Sequence, residues 1–144
     1  MTEILFYTHV EDRLQTACQL SAKALTRQMR VLILTIDAAL TDKVSKLLWS
    51  MPAIGFYPHC RASDKLAAVT PIIVDHVAEP LPHDQVLINL LRETPPVFSR
   101  FQRLIEIVGL DEDDRAAARE RFRFYRDRGY DITTHQLGGA RGGS

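Results

Sequence analysis

Only two of the 144 residues are cysteine, Cys18 and Cys60, and the formal net charge is zero, with 18 basic against 18 acidic side chains. Two cysteines are too few for a disulfide-built secreted scaffold. Balanced charge argues against a general nucleic-acid binder, which carries a basic excess, although it leaves room for a local basic patch. No uninterrupted apolar run approaches the roughly 18 residues that a membrane span needs. No basic N-terminal stretch leads into an apolar segment with a cleavage site, so no signal peptide is expected. These absences together predict a cytoplasmic protein with reduced thiols and no membrane contact. Glycine is scarce as well: seven in all, the first at Gly55.

That last scarcity bears on chemistry. Nucleotide phosphates sit on backbone N–H groups, and glycines let the backbone come close enough. The chain holds no G-x-G-x-x-G and no G-K-[ST]. The segment after the first apolar run, Thr8-His9-Val10-Glu11-Asp12, brings two acids and nothing to cradle a phosphate. No nucleotide or other cofactor is expected.

What is present is an ordinary globular composition, 46% hydrophobic and 25% charged. A chain of this length forms one domain and buries about 68–70% of its unfolded surface. Ile4-Leu5-Phe6-Tyr7 reads as a buried strand. Apolar residues at helical spacing from Leu14 to Leu25 predict a helix over 12–29, capped by Asp12. The continuous run Val31-Leu32-Ile33-Leu34-Thr35-Ile36 suits a strand covered on both faces, as in a parallel sheet. A second helix starts at Asp37 or Thr41 and runs through Trp49, closed by Pro52. Further strands are expected over 54–57, over 72–74, over 86–90 and, as the last, over 103–108. Residues 62–68 read as loop, and a short helix is expected over 98–102. The clearest helix, over 111–128, opens on Asp111, Glu112, Asp113 and Asp114 and closes on Arg126 and Arg128, charges that suit the two ends of its dipole. Gly129 is its stop. Alternating strands and helices give an α/β fold, a single domain with a largely parallel sheet flanked by helices, Rossmann-like without the nucleotide-binding glycine loop. The domain spans 1–137, and 138–144 is a glycine-rich tail, flexible by composition.

No catalytic constellation stands out. His59-Cys60 places a base beside a thiol, but neighbours in an extended segment point opposite ways. Asp75-His76 and His83-Asp84 each pair an acid with a histidine without a nucleophile. His59, Cys60, His76 and His83 follow no metal-ligand spacing, so no metal is expected.

Two segments carry more. On the last helix Arg115, Arg119 and Arg123 stack at i, i+4 and i+8, Arg126 extends that side, and Phe122 lies beside it. Ala118, Phe122 and Tyr125 form an adjacent apolar stripe. Such a row is either a solvated face paired with Glu120, Asp127 and the acidic first turn, or a receptor for a carboxylate or phosphate joined to something apolar. The other segment is Leu48-Trp49-Ser50-Met51-Pro52-Ala53-Ile54-Gly55-Phe56-Tyr57-Pro58-His59, with the only tryptophan. Core packing is the general expectation for its aromatics; the alternative is an exposed apolar patch for a partner.

Together these segments, as Leu48-Trp49-x-x-Pro52-x-x-x-Phe56-x-Pro58-His59 and Ala118-Arg119-Glu120-Arg121-Phe122-x-x-Tyr125-Arg126-x-x-Gly129-Tyr130, resemble the chi subunit family of bacterial DNA polymerase III. Phe6-Tyr7, Arg30-Val31-Leu32-Ile33 and Val86-Leu87-Ile88-Asn89-Leu90 agree with it, so the likeness runs from Ile4 to Thr134. The loop Cys60-Arg61-Ala62-Ser63-Asp64 is shorter than the glycine-rich loop that follows the Pro-His pair in the family. The resemblance implies a non-catalytic adaptor in the clamp-loader complex. It would bind the acidic, Phe-ended C-terminal tail of single-stranded DNA-binding protein through Arg115, Arg119, Phe122 and Arg123. It would bind a psi-like subunit through Trp49, Pro52, Phe56 and Pro58. A helicase is associated with that second surface in the family, and DNA is reached only indirectly. The competing expectations are a small nucleotide-dependent or hydrolytic enzyme on the same fold, and direct single-stranded DNA binding by the arginine helix. Zero net charge and a single nearby aromatic oppose the latter.

Overall fold

A computed structural model describes residues 1–50, 59–62, 64, 66–67, 70–77, 81 and 83–137. The elements follow one another as β1 (Glu3–Val10), α1 (Arg13–Thr26), β2 (Val31–Leu34), α2 (Ala38–Ser50), β3 (His59–Cys60), β4 (Ile72–Asp75), β5 (Val86–Asn89), β6 (Arg103–Gly109), α3 (Glu112–Asp127) and β7 (Ile132–Gln136). All seven strands join one parallel sheet in the order β3-β4-β2-β5-β6-β1-β7.

Side-chain alternation divides the core between the two faces. Val31, Ile33, Val74, Ile88 and Ile107 pack with Ala17 and Cys18 of α1 and Val44 and Leu48 of α2. Ile4, Phe6, Leu32, Leu34, Leu87 and Leu104 face the other way, against Ala118 and Tyr125 of α3 and against Phe98 and Phe101. The continuous apolar run of β2 is buried at every position because both faces are covered. The chain steps from β1 to β2 one way along the sheet and from β6 to β7 the other way. Right-handed crossovers therefore put α1 and α3 on opposite faces.

Several sequence expectations change here. β6 is not the last strand. β7 adds an edge parallel to β1, although its residues are largely polar and exposed. Its order comes from pairing rather than from an apolar pattern. Helix α1 stops at Thr26, because Gln28 takes a left-handed φ of 60°. Gln28 N–H donates to the Leu25 carbonyl at 2.9 Å and Met29 N–H to that of Ala24 at 3.0 Å, a Schellman closure. Asp37, not Thr41, caps α2, accepting from Leu40 N–H at 2.8 Å. Thr41 is buried with its hydroxyl 2.6 Å from that of Thr35. Residues 98–100 form a single 3-10 turn. The strand expected over 54–57 lies outside the described residues, as does 138–144, and a two-residue β3 at His59–Cys60 holds the edge beside β4. Trp49 is not core: it is 62% exposed, while Leu48 beside it is fully buried.

Candidate functional site

Where β1 and β6 end side by side, their following helices depart to opposite faces of the sheet. Clefts of this kind are where open α/β sheets take ligands. On the α3 side lies a cavity of about 270 Å³, lined from β1 by Phe6, Thr8 and His9, and from α3 by Arg115, Ala118, Arg119 and Phe122. Val108, Gly109 and Leu110 at the end of β6 and Thr134 of β7 complete the wall. The floor is apolar and the rim carries guanidinium groups. The volume suits one side chain rather than a nucleotide.

The rotation of α3 is set from behind. Arg121 and Tyr125 lie on the buried side of the helix and meet Glu106, a carboxylate in the middle of β6 with no solvent exposure. Arg121 Nε donates to Glu106 Oε1 at 2.9 Å, Tyr125 Oη to Oε2 at 2.5 Å, and Asn89 Nδ2 to both oxygens at 3.0 and 3.1 Å. Arg121 also donates to the Arg92 carbonyl. Burial pushes the Glu106 carboxyl up, and the Arg121 charge with the Tyr125 and Asn89 hydrogen bonds opposes that push. Burial, then the Glu106 charge, raise the Tyr125 phenol. With this side locked inward, Arg115 and Arg119 stand at the cavity. Sequence reasoning placed Tyr125 in the apolar stripe and gave Glu106 and Arg121 no role. The one available signal was a lone carboxylate inside the run Leu104-Ile105-Glu106-Ile107-Val108.

Three of the four residues expected on the arginine helix come together. Phe122 is half-buried and tilts onto Phe6 with centroids 5.4 Å apart. Arg119 Nη2 donates to Glu112 Oε2 at 2.7 Å, and both side chains are exposed. That hydrogen bond, then the Arg119 charge, hold the Glu112 carboxyl below its usual value. Arg115 makes no salt bridge among the described residues, though its charge adds to the pull on Glu112. Arg123 stands apart: it pairs with Glu120 and does not line the cavity. Arg126 likewise pairs with its neighbour Asp127, at 3.3 Å. Thr8 and His9 are part of the wall: the sequence allows the end of the first strand to complete a tail pocket but does not say which residues do so. No local pattern links them to a helix a hundred residues away.

The helix N-termini at this end are occupied by the chain's own carboxylates. Asp12 accepts from Gln15 N–H at 3.1 Å and Asp111 from Asp113 N–H at 2.9 Å. Asp114 is buried, accepts from Gly109 N–H at 2.7 Å and lies 3.4 Å from Arg13 Nε. A Cβ at Gly109 would sit 3.0 Å from the Asp114 carboxylate, so glycine lets the end of β6 approach α3. These acids repel phosphate at the dipole ends that would otherwise attract it.

His59 and Cys60 have local structural surroundings. His59 and Cys60 point to opposite sides: His59 Nε2 is 2.8 Å from Ser45 Oγ on α2, and Cys60 packs on the other face. Burial pushes the Asp75 carboxyl up, but Arg61 and the N–H groups of Ala62, His76 and Val77 outweigh it and hold the carboxyl low. Burial pushes the Cys18 thiol up to about 12. Among the described residues no group of three or more histidine, cysteine or acidic side chains is placed to hold a metal, and no helix is long and apolar enough to cross a membrane.

At the far end of α2 the exposed Trp49 tilts onto His59, ring centroids 5.0 Å apart. Of the other residues expected on that surface, Pro52, Phe56 and Pro58 lie outside the described residues.

A family model described as DNA polymerase III chi subunit, HolC, matches residues 1–133. A DNA polymerase III subunit chi of Pseudomonas aeruginosa is 36% identical over 141 residues, covering 95% of this chain and 98% of the relative. Proteins of the same name from Haemophilus influenzae and Escherichia coli are 28% and 26% identical, covering 86% and 83% of this chain and 87% and 82% of their own lengths.

Proposed function

The chain belongs to the DNA polymerase III chi subunit family, a replication accessory subunit, and from that premise we propose that it is a non-catalytic adaptor that binds the acidic C-terminal tail of single-stranded DNA-binding protein in the cavity beside α3. The observation that carries this reading is the joining of two guanidinium groups, Arg115 and Arg119, to an apolar cavity of about 270 Å³ floored by Phe6 and Phe122. A ligand that satisfies both halves has an apolar ring and a carboxylate close together, as a C-terminal phenylalanine does. Arg119 takes the carboxylate, the cavity takes the ring, and further acids of the tail run along the arginine row toward Arg123.

A psi-like subunit of the clamp-loader complex docks at the other surface, where Trp49 offers a large exposed ring. DNA is reached through the coated strand and not by direct contact.

Calorimetric titration with a synthetic acidic tail peptide, beside a copy lacking its terminal phenylalanine, tests the cavity. Binding of the first and not the second is the expected result. Equal binding of both removes the ring from the reading, and binding of neither removes the tail.

A further inference from the structure

Side chains along a regular strand alternate between the faces of the sheet. Phe6 and Thr8 of β1 therefore share the α3 face, and a regular His9 would turn to the other. His9 nevertheless lines the cavity together with Thr8. Two features bring it there. The pairing of β1 with β6 shifts register between Tyr7 and Val10, a bulge of the kind that re-aims side chains. At that bulge His9 holds a left-handed φ of 59°, a conformation uncommon outside glycine that stores strain and tends to occur at functional sites.

The ring is also oriented. Thr8 Oγ1 lies 3.0 Å from His9 Nδ1. With the hydroxyl donating there, the ring proton sits on Nε2 and makes that nitrogen a donor. We propose that His9 is a specificity residue of this cavity, its Nε2–H pairing with the terminal carboxylate of the bound peptide opposite the Arg119 guanidinium. The inference rests on the tail-binding reading and adds to it a reason for requiring a free chain end: a carboxylate held from two sides, by α3 and by the end of β1.

The test uses the full chain and two peptides, an acidic sequence ending in phenylalanine with a free carboxylate and the same sequence ending in an amide. His9→Gly occupies the left-handed backbone freely but removes the donor. His9→Asn tolerates that backbone and keeps a donor. The wild type should prefer the free acid. His9→Gly should lose roughly ten- to a hundredfold in affinity for the acid, the size of a hydrogen bond to a charged group, and change less than about twofold for the amide. His9→Asn should fall between. Thermal melting of both variants should be no lower than wild type. An acid preference in His9→Gly as large as that of the wild type overturns the proposal, because the histidine then serves only the bulge. An equal loss for both peptides overturns it too. If the wild type binds neither peptide, the tail reading fails and His9 with it. A wild type that binds while His9→Gly keeps the full wild-type preference leaves the tail reading intact and refutes His9 alone.

Discussion

The Arg119 guanidinium holds a carboxylate, that of Glu112, across an exposed surface. On the tail-binding proposal a peptide carboxylate displaces it, so the gain on binding is a difference between two ion pairs. Arg119→Ala should weaken the tail peptide by about 1–3 kcal/mol, the range for a hydrogen bond to a charged group, and titration of a folded variant checks it. Glu112→Gln should do the opposite and tighten the same peptide a few-fold, since it removes the internal competitor, and the gain should shrink as salt rises. A Glu112→Gln variant no tighter than wild type would mean that the pair does not compete. At this scale the arginine row, Phe122 and their spacing are legible in the sequence. The solvated-face reading also describes part of what is seen, because Arg119, Arg123 and Arg126 each pair with a nearby acid. Thr8, His9 and Glu106 were illegible because their roles depend on a bulge and on neighbours distant along the chain.

At the scale of elements, α3 presents three different sides: arginines outward, an apolar stripe to the sheet, and Arg121 and Tyr125 locked on Glu106. Its end is as definite as its rotation. Gly129 has φ 82°, Gly129 N–H donates to the Arg126 carbonyl at 3.0 Å and Tyr130 N–H to that of Tyr125 at 3.2 Å. An added Cβ at Gly129 meets nothing within 4 Å, so Gly129→Ala should cost about 1–2 kcal/mol through backbone conformation alone. Chemical denaturation measures this, and no loss would show that the turn relaxes. The same closure at α1 is made by Gln28 without a glycine, which is why the sequence did not mark that helix end and the expected helix ran on to Met29. β7 was invisible for a related reason: its largely polar exposed residues form a strand only because β1 offers an unpaired edge. Trp49 belongs to this scale as well. It lies near the end of α2 on the outside, so Trp49→Ala should leave the melting temperature near wild type and weaken binding of the proposed psi-like partner, read by co-purification and melting in parallel. A large drop in melting temperature would return Trp49 to a packing role.

Across the whole molecule, the central strands were the most legible part, because β2 and β5 are buried on both faces and their runs are continuous in sequence. Stability should depend on pH through a histidine just before the central strand β5. His83 is packed edge-on to Phe101 and accepts from Gln85 N–H, and its burial lowers its pKa from 6.5 to about 4. Between those values the unfolded chain takes up a proton that the native chain refuses, so stability is full above pH 6.5 and falls as the pH drops toward 4. His59, lowered by burial, acts in the same sense. Denaturation at pH 7 and pH 5 should show the loss, and His83→Gln should reduce it; an unchanged slope would assign it elsewhere. The strand order has one more consequence. Trp49 sits beside the β3 edge, the cavity beside β1, and the order β3-β4-β2-β5-β6-β1 separates these strands by five inter-strand steps, roughly 24 Å at about 4.8 Å each. On the proposed two-partner reading, occupants held that far apart do not collide, and each raises the local concentration of the other's assembly. Such a bivalent coupler would turn two separate affinities into a durable tether, with either end free to let go and rebind while the other holds.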